Sequence, residues 1–72
     1  MSKGLLQVQS LAMTDRTFRE RLLADPVDAV KRAGLRLERS EMLTVQTEIE
    51  RLKANKTLRE LDEVFRTGAL GW

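Results

Sequence analysis

The dipeptide Asp25-Pro26 restricts the fold of this chain more than any other feature. Proline disfavours helix in the residue before it, yet it suits the first position of a new helix, where its missing N–H would have had no partner. One helix therefore stops at Asp25, which caps the next, with Pro26 at its first position. Asp28 adds negative charge where the helix dipole favours it. Gly34 closes the same segment as a left-handed cap, leaving Val27, Val30 and Ala33 on a helix of about two turns. A chain interrupted in this way folds back on itself as a bundle of short helices.

The remaining apolar pattern is also helical, with no strand alternation. Leu5, Leu6, Val8, Leu11 and Ala12 fit one stripe. Thr14 or Asp15 caps a second segment, in which Phe18, Leu22 and Leu23 bury together. Leu35 and Leu37 follow Gly34 at a spacing that points both one way in an extended link, as plugs for a core. A further helix opens near Glu38 to Ser40 and carries Met42, Val45, Ile49 and Leu52 on one face. The next stripe, Leu58, Leu61, Val64 and Phe65, is out of phase with it, and Thr57-Leu58-Arg59-Glu60 reads as a capping box, so a break falls near Asn55. Asp62 and Arg66 are placed for an i,i+4 pair, and Gly68 ends the last helix. The expected fold is all-α: a small bundle of three to four helices over residues 1–66, with a flexible C-terminal tail over 67–72.

At 72 residues the chain is one domain at most, below the size where a single core is comfortably stable without help. It has no cysteine, hence no disulfide or thiolate metal site, and no histidine, the commonest general base and metal ligand. No metal or cofactor is expected. Ser2, Ser10 and Ser40 lack a lysine at helical spacing, and the carboxylate neighbours Glu48 with Glu50 and Asp62 with Glu63 read as solvated charges on different helix faces. So small a chain has little volume to wall off a pocket of about 300 Å³ or more. An enzyme is not expected. The net charge of +2 comes from interspersed signs, and the densest basic stretch, Lys31, Arg32, Arg36 and Arg39, is a weak candidate for nucleic acid. No apolar run is long enough to span a membrane, and the start is too polar for a secretory signal, so the reading is cytoplasmic.

Beyond Arg66 the chain changes character. Gly68-Ala69-Leu70-Gly71-Trp72 has two glycines, no charged side chain and the only tryptophan. Such a composition is hostile to helix. Trp72 reads either as a lid on the helices or as the part another molecule acts on, with the helical body as its handle.

The stretch from Phe18 to Glu41 carries the pattern Phe, Leu-x-Asp-Pro, Ala-Gly-Leu, Glu, on Phe18, Leu22, Leu23, Asp25, Pro26, Ala33, Gly34 and Leu35. It resembles the helical leader peptides of ribosomally made, post-translationally modified natural products, the nitrile-hydratase-like and related actinobacterial leaders among them. It is also similar to the small subunit of extradiol ring-opening dioxygenases, whose fold some precursor binding domains share. The ending lacks the Cys-, Ser- and Thr-rich core of lanthipeptide or thiazole precursors. Instead it looks like the scaffold peptides of pyrroloiminoquinone-type alkaloid pathways, of the ammosamide and lymphostin kind. There, tRNA-dependent ligases extend a carrier peptide, and a terminal Trp is oxidised while attached and later released. The resemblance implies a carrier body, Trp72 as modification site, and a docking patch of Phe18, Leu22, Leu23, Asp25, Pro26 and Leu35. It implies as partners a tRNA-dependent peptide ligase, an oxidase or similar enzyme, and a protease. Docking would use a helix laid in a groove or an edge strand, for which Leu35 to Leu37 is the only locally extended candidate. Two other readings stay open: a small non-catalytic structural or regulatory subunit anchored by Trp72, and a helix-turn-helix DNA binder. Homo-oligomerisation stays open with each.

Overall fold

From the end of the first helix onward, the helix boundaries fall at residues that satisfy helix ends. The structure, a computed structural model, describes residues 3–68 and Leu70. Its order is α1 (Lys3–Thr14), α2 (Arg16–Ala24), α3 (Pro26–Arg32), α4 (Arg39–Asn55) and α5 (Leu58–Thr67). The all-α expectation holds, with five helices among the described residues in place of three to four. The difference lies in single-residue joints. The Asp15 N–H donates to the Leu11 carbonyl at 2.8 Å, while its carboxylate accepts from the Phe18 N–H at 3.1 Å. Asp25 repeats the device, donating to the Arg21 carbonyl at 2.8 Å and accepting from the Asp28 N–H at 3.2 Å. Each aspartate closes one helix with its backbone and opens the next with its side chain.

The seven-residue α3 ends in a two-bond cap. The Leu35 N–H donates to the Val30 carbonyl at 3.2 Å and the Gly34 N–H to the Lys31 carbonyl at 3.1 Å. Gly34, at φ 74, makes the turn. The turn delivers Leu35 and then Leu37 half-buried against the core, as the link was expected to do. In α4 the Glu41 carboxylate is divided between two helix starts. One oxygen accepts from the Glu38 N–H at 2.8 Å, the other from the Gly4 N–H of α1 at 3.1 Å. That approach needs a glycine: a Cβ on Gly4 would lie 2.5 Å from Leu37 Cδ2 and 2.6 Å from Glu41 Oε2. The Thr57–Glu60 box is present at α5, with the Thr57 N–H 3.0 Å from Glu60 Oε1 and the Glu60 N–H 3.3 Å from Thr57 Oγ1.

All five helices feed one core. Val8 and Ala12 come from α1, Phe18 and Leu22 from α2, Ala29 and Val30 from α3, Val45, Ile49 and Leu52 from α4, and Leu61 and Phe65 from α5. The Cα radius of gyration, 10.8 Å, matches the value of about 11 Å expected of a globular domain this long. Several details of the pattern differ from expectation. Leu6, expected on the α1 stripe, is exposed. Ala33 is exposed, and α3 buries Ala29 instead. Leu58 is 79% exposed, because α5 turns its Leu61–Phe65 face inward and leaves its first residue outside. Asp62 and Arg66 do not pair: Asp62 reaches Arg19 of α2 at 3.6 Å, and Arg66 reaches Glu63 at 3.6 Å.

Two outcomes follow from the caps. Nothing lies within 4 Å of a Cβ built on Gly34, so Gly34→Val meets only the cost of a positive φ, about 1 kcal/mol or more by urea denaturation. Gly68→Ala carries the same positive-φ cost, at φ 72, and in addition requires the Met13 side chain, 3.0 Å from the new Cβ, to shift. A neutral Gly34→Val would refute the strain account. The second outcome concerns pH. The Glu60 carboxyl is held below its ordinary range by the hydrogen bond from the Thr57 N–H, then by the Thr57 side chain and the charge of Lys56. Because the folded value is the lower one, this contribution is present above the unfolded pKa of about 4.3 and is lost as pH falls through the folded value. Glu60→Gln should flatten the acid limb of the stability–pH curve, and an unchanged limb would contradict the assignment.

Candidate functional site

Surface grooves lie between the helices. The first, about 660 Å³, lies where the starts of α1 and α4 meet the α3–α4 link, with Lys3, Arg36 and Glu38 on its walls. The second, about 460 Å³, runs between α2 and α5. The third, about 270 Å³, lies over Phe18 and Ala33. None holds a cluster of metal-ligating side chains among the described residues.

The second groove depends on Arg19. Its guanidinium Nη1 donates to the carbonyls of Ala12 and Met13, each at 3.2 Å, and so satisfies the end of α1. Its Nε lies 3.6 Å from Asp62 Oδ1, too long for a hydrogen bond but within ion-pair range. One side chain, 12% exposed, thereby ties α1, α2 and α5 together. Sequence periodicity had no means of singling it out, since Arg19 looks like one charge among the alternating arginines and acids of α2.

The expected docking patch is not one surface. Leu22 is fully buried and Phe18 is 5% exposed, so both belong to the core, as their spacing in the second helical segment implied. Leu23 is half-buried and lines the α2–α5 groove. Asp25 is exposed and Pro26 half-buried, occupied in making the α2–α3 joint. Leu35 and Leu37 are half-buried against the core, in the non-helical link between α3 and α4. The carboxylate pairs divide likewise. Glu50, Asp62 and Glu63 are exposed, but Glu48 is not the solvated charge expected of it. It is 8% exposed, and Arg51 clamps it with two bonds, Nε to Oε1 at 2.8 Å and Nη2 to Oε2 at 2.7 Å. Burial of a carboxylate requires such a partner.

The expected modification site, Trp72, lies outside the described residues, as do Ala69 and Gly71. What is described of the segment begins at Gly68, whose left-handed backbone stops α5. The Gly68 carbonyl lies 3.5 Å from the Gln9 amide of α1, and Leu70 is half-buried against the core. The basic stretch is exposed throughout, with Arg32 engaged by Asp28 at 2.8 Å. No helix among the described residues is long and apolar enough to cross a membrane. Compared with known families, curated proteins and solved structures, the chain matches none.

Core and surface roles on α2 and α5 separate by stability. Leu22→Ala should cost about 2–5 kcal/mol in urea denaturation, through lost burial and the cavity it leaves. Leu58→Ala should stay within about 0.5 kcal/mol. Equal effects would mean that the two side chains are not divided between core and surface.

Proposed function

We propose that this protein is a non-catalytic carrier of the cytoplasm, whose helical body docks on modifying enzymes and presents the segment Gly68–Trp72 to them, Trp72 being the residue acted upon. The observation that carries the reading is the stop at Gly68. A glycine at φ 72 terminates α5 at Thr67, where the sequence passes into the charge-free segment bearing the only tryptophan. The body has its own caps and a core drawn from five helices. It therefore serves as a handle: docking raises the concentration of the attached segment at an active site without affinity from the segment itself. The resemblance of residues 18–41 to precursor leaders, and of the ending to alkaloid scaffold peptides, supports the same assignment and names the partners as a tRNA-dependent peptide ligase, an oxidase and a protease.

The reading is tested by co-expressing the chain with whatever enzymes are encoded beside it, a tRNA-dependent ligase, an oxidase and a protease being the expected set. The expected result is a mass change that fragmentation localises to Trp72 or to residues attached to it. Trp72→Ala should abolish it while the far-UV helical spectrum persists. A stable stoichiometric complex with an enzyme, without covalent change to Trp72, would assign the chain to the class of small structural subunits instead.

A further inference from the structure

Among the described residues Leu58 is the most exposed of the large apolar side chains, at 79%, and capping does not require it, since Thr57 and Glu60 cap α5 and Leu61 and Phe65 carry its buried face. Leaving a leucine in water forgoes the gain of burying it. Leu58 also has company. It lines the groove of about 460 Å³ between α2 and α5, together with half-buried Leu23 and the core residue Phe65.

The charges along that groove are mostly matched. Arg16 faces Glu20 at 3.5 Å, and Arg19 faces Asp62 at 3.6 Å. Arg59, next to Leu58, is exposed and has no ion-pair partner among the described residues. The groove thus offers an uncovered leucine beside an uncompensated guanidinium. A guanidinium binds a carboxylate through two parallel N–H donors, a geometry that suits an acidic side chain. A nucleic-acid backbone fits less well, because it carries a charge at every nucleotide and would meet Glu20 and Asp62 as well as Arg59. Both walls of the groove are helices, so it presents no sheet edge to an added strand. A third helix, by contrast, lies readily between two others, its ridges in their grooves. The nine residues of α2 and ten of α5 give a track of about 14–15 Å, enough for two to three helical turns.

We infer that the α2–α5 groove is the surface by which the body docks. Its occupant is a short amphipathic helix of a partner protein, carrying apolar side chains to Leu23 and Leu58 and a carboxylate to Arg59. The inference deepens the carrier reading and rests on it for the purpose of docking.

The test uses the whole chain, 15N-labelled, and a synthetic amphipathic peptide of about 15 residues, long enough to be marginally helical alone, with leucines on one face flanked by glutamates. A second peptide carries lysine in place of every glutamate. The acidic peptide should saturably shift the amide signals of Leu23, Leu58 and Arg59, and bind about tenfold or more tightly than the lysine peptide. Leu58→Glu and Arg59→Glu should each weaken it by a similar factor with the helical spectrum unchanged, and Arg59→Glu should improve binding of the lysine peptide. Equal affinity for both peptides, shifts centred elsewhere, or no saturable binding would overturn the proposal. So would concentration-dependent dimerisation of the chain alone that Leu58→Glu abolishes, which would make a second copy the occupant. The two readings fail separately. Full modification of Trp72 in Leu58→Glu and Arg59→Glu would remove the groove and keep the carrier. Groove binding without any modification of Trp72 in the parent chain would keep the groove and remove the carrier.

Discussion

A bundle of helices only seven to seventeen residues long is dominated by its ends. Every α-helix leaves four N–H and four C=O groups without intrahelical partners, so a chain divided into five helices has many orphan groups to satisfy in few residues. The rest of the structure depends on how economically this is done. Asp15 and Asp25 each serve two helices at once, which removes the need for loops between α1, α2 and α3. With no loop there, the direction of the chain at each joint is set by one aspartate, and Phe18, Leu22, Ala29 and Val30 are delivered to a common interior.

Two further groups turn end-capping into tertiary structure. Glu41 accepts from the starts of both α4 and α1, and the missing side chain of Gly4 allows the approach. Arg19 reaches the last carbonyls of α1 from α2 and faces Asp62 on α5. In each case a charged group meets a helix end of complementary partial charge: a carboxylate at N–H groups, a guanidinium at carbonyls. Because these contacts are shared between elements, the helices are positioned by their termini as well as by their apolar faces. The grooves between them, including the one between α2 and α5, are what this arrangement leaves open.

Local signals were legible in the sequence and tertiary ones were not. The Asp25-Pro26 joint, the Gly34 cap, the Thr57–Glu60 box and the break after Asn55 each depend on residues within about one turn of one another, and each was readable from spacing. The stripe Val45, Ile49 and Leu52 was likewise visible from its period. What spacing missed was partner choice across the fold. Asp62 has Arg66 four residues away and still faces Arg19, forty-three residues back, because α2 brings that guanidinium alongside α5. Glu48 looked solvated because its charge hid its register: three residues after Val45 and four before Leu52, it shares their buried face. Phe18 and Leu22 were legible from their spacing as residues that bury together, and the structure places both in the interior. Leu58 is the reverse of Glu48, an apolar residue at helical spacing that the first turn of α5 leaves in solvent.

The contact between α1 and α5 joins the first described helix to the last, and it bears on how the chain is made. A ribosome delivers α1 early, with Val8 and Ala12 on its apolar face, but the helix that supplies Leu61 and Phe65 to the same core emerges only after α4. At synthesis rates of about 5–20 residues per second, α1 waits seconds for its partner. During that interval the nascent chain has α2 and α3 joined to α1 and an interior that is not yet closed. Closure of the core therefore waits on α5, whose Leu61 and Phe65 complete the interior that Val8 and Ala12 begin.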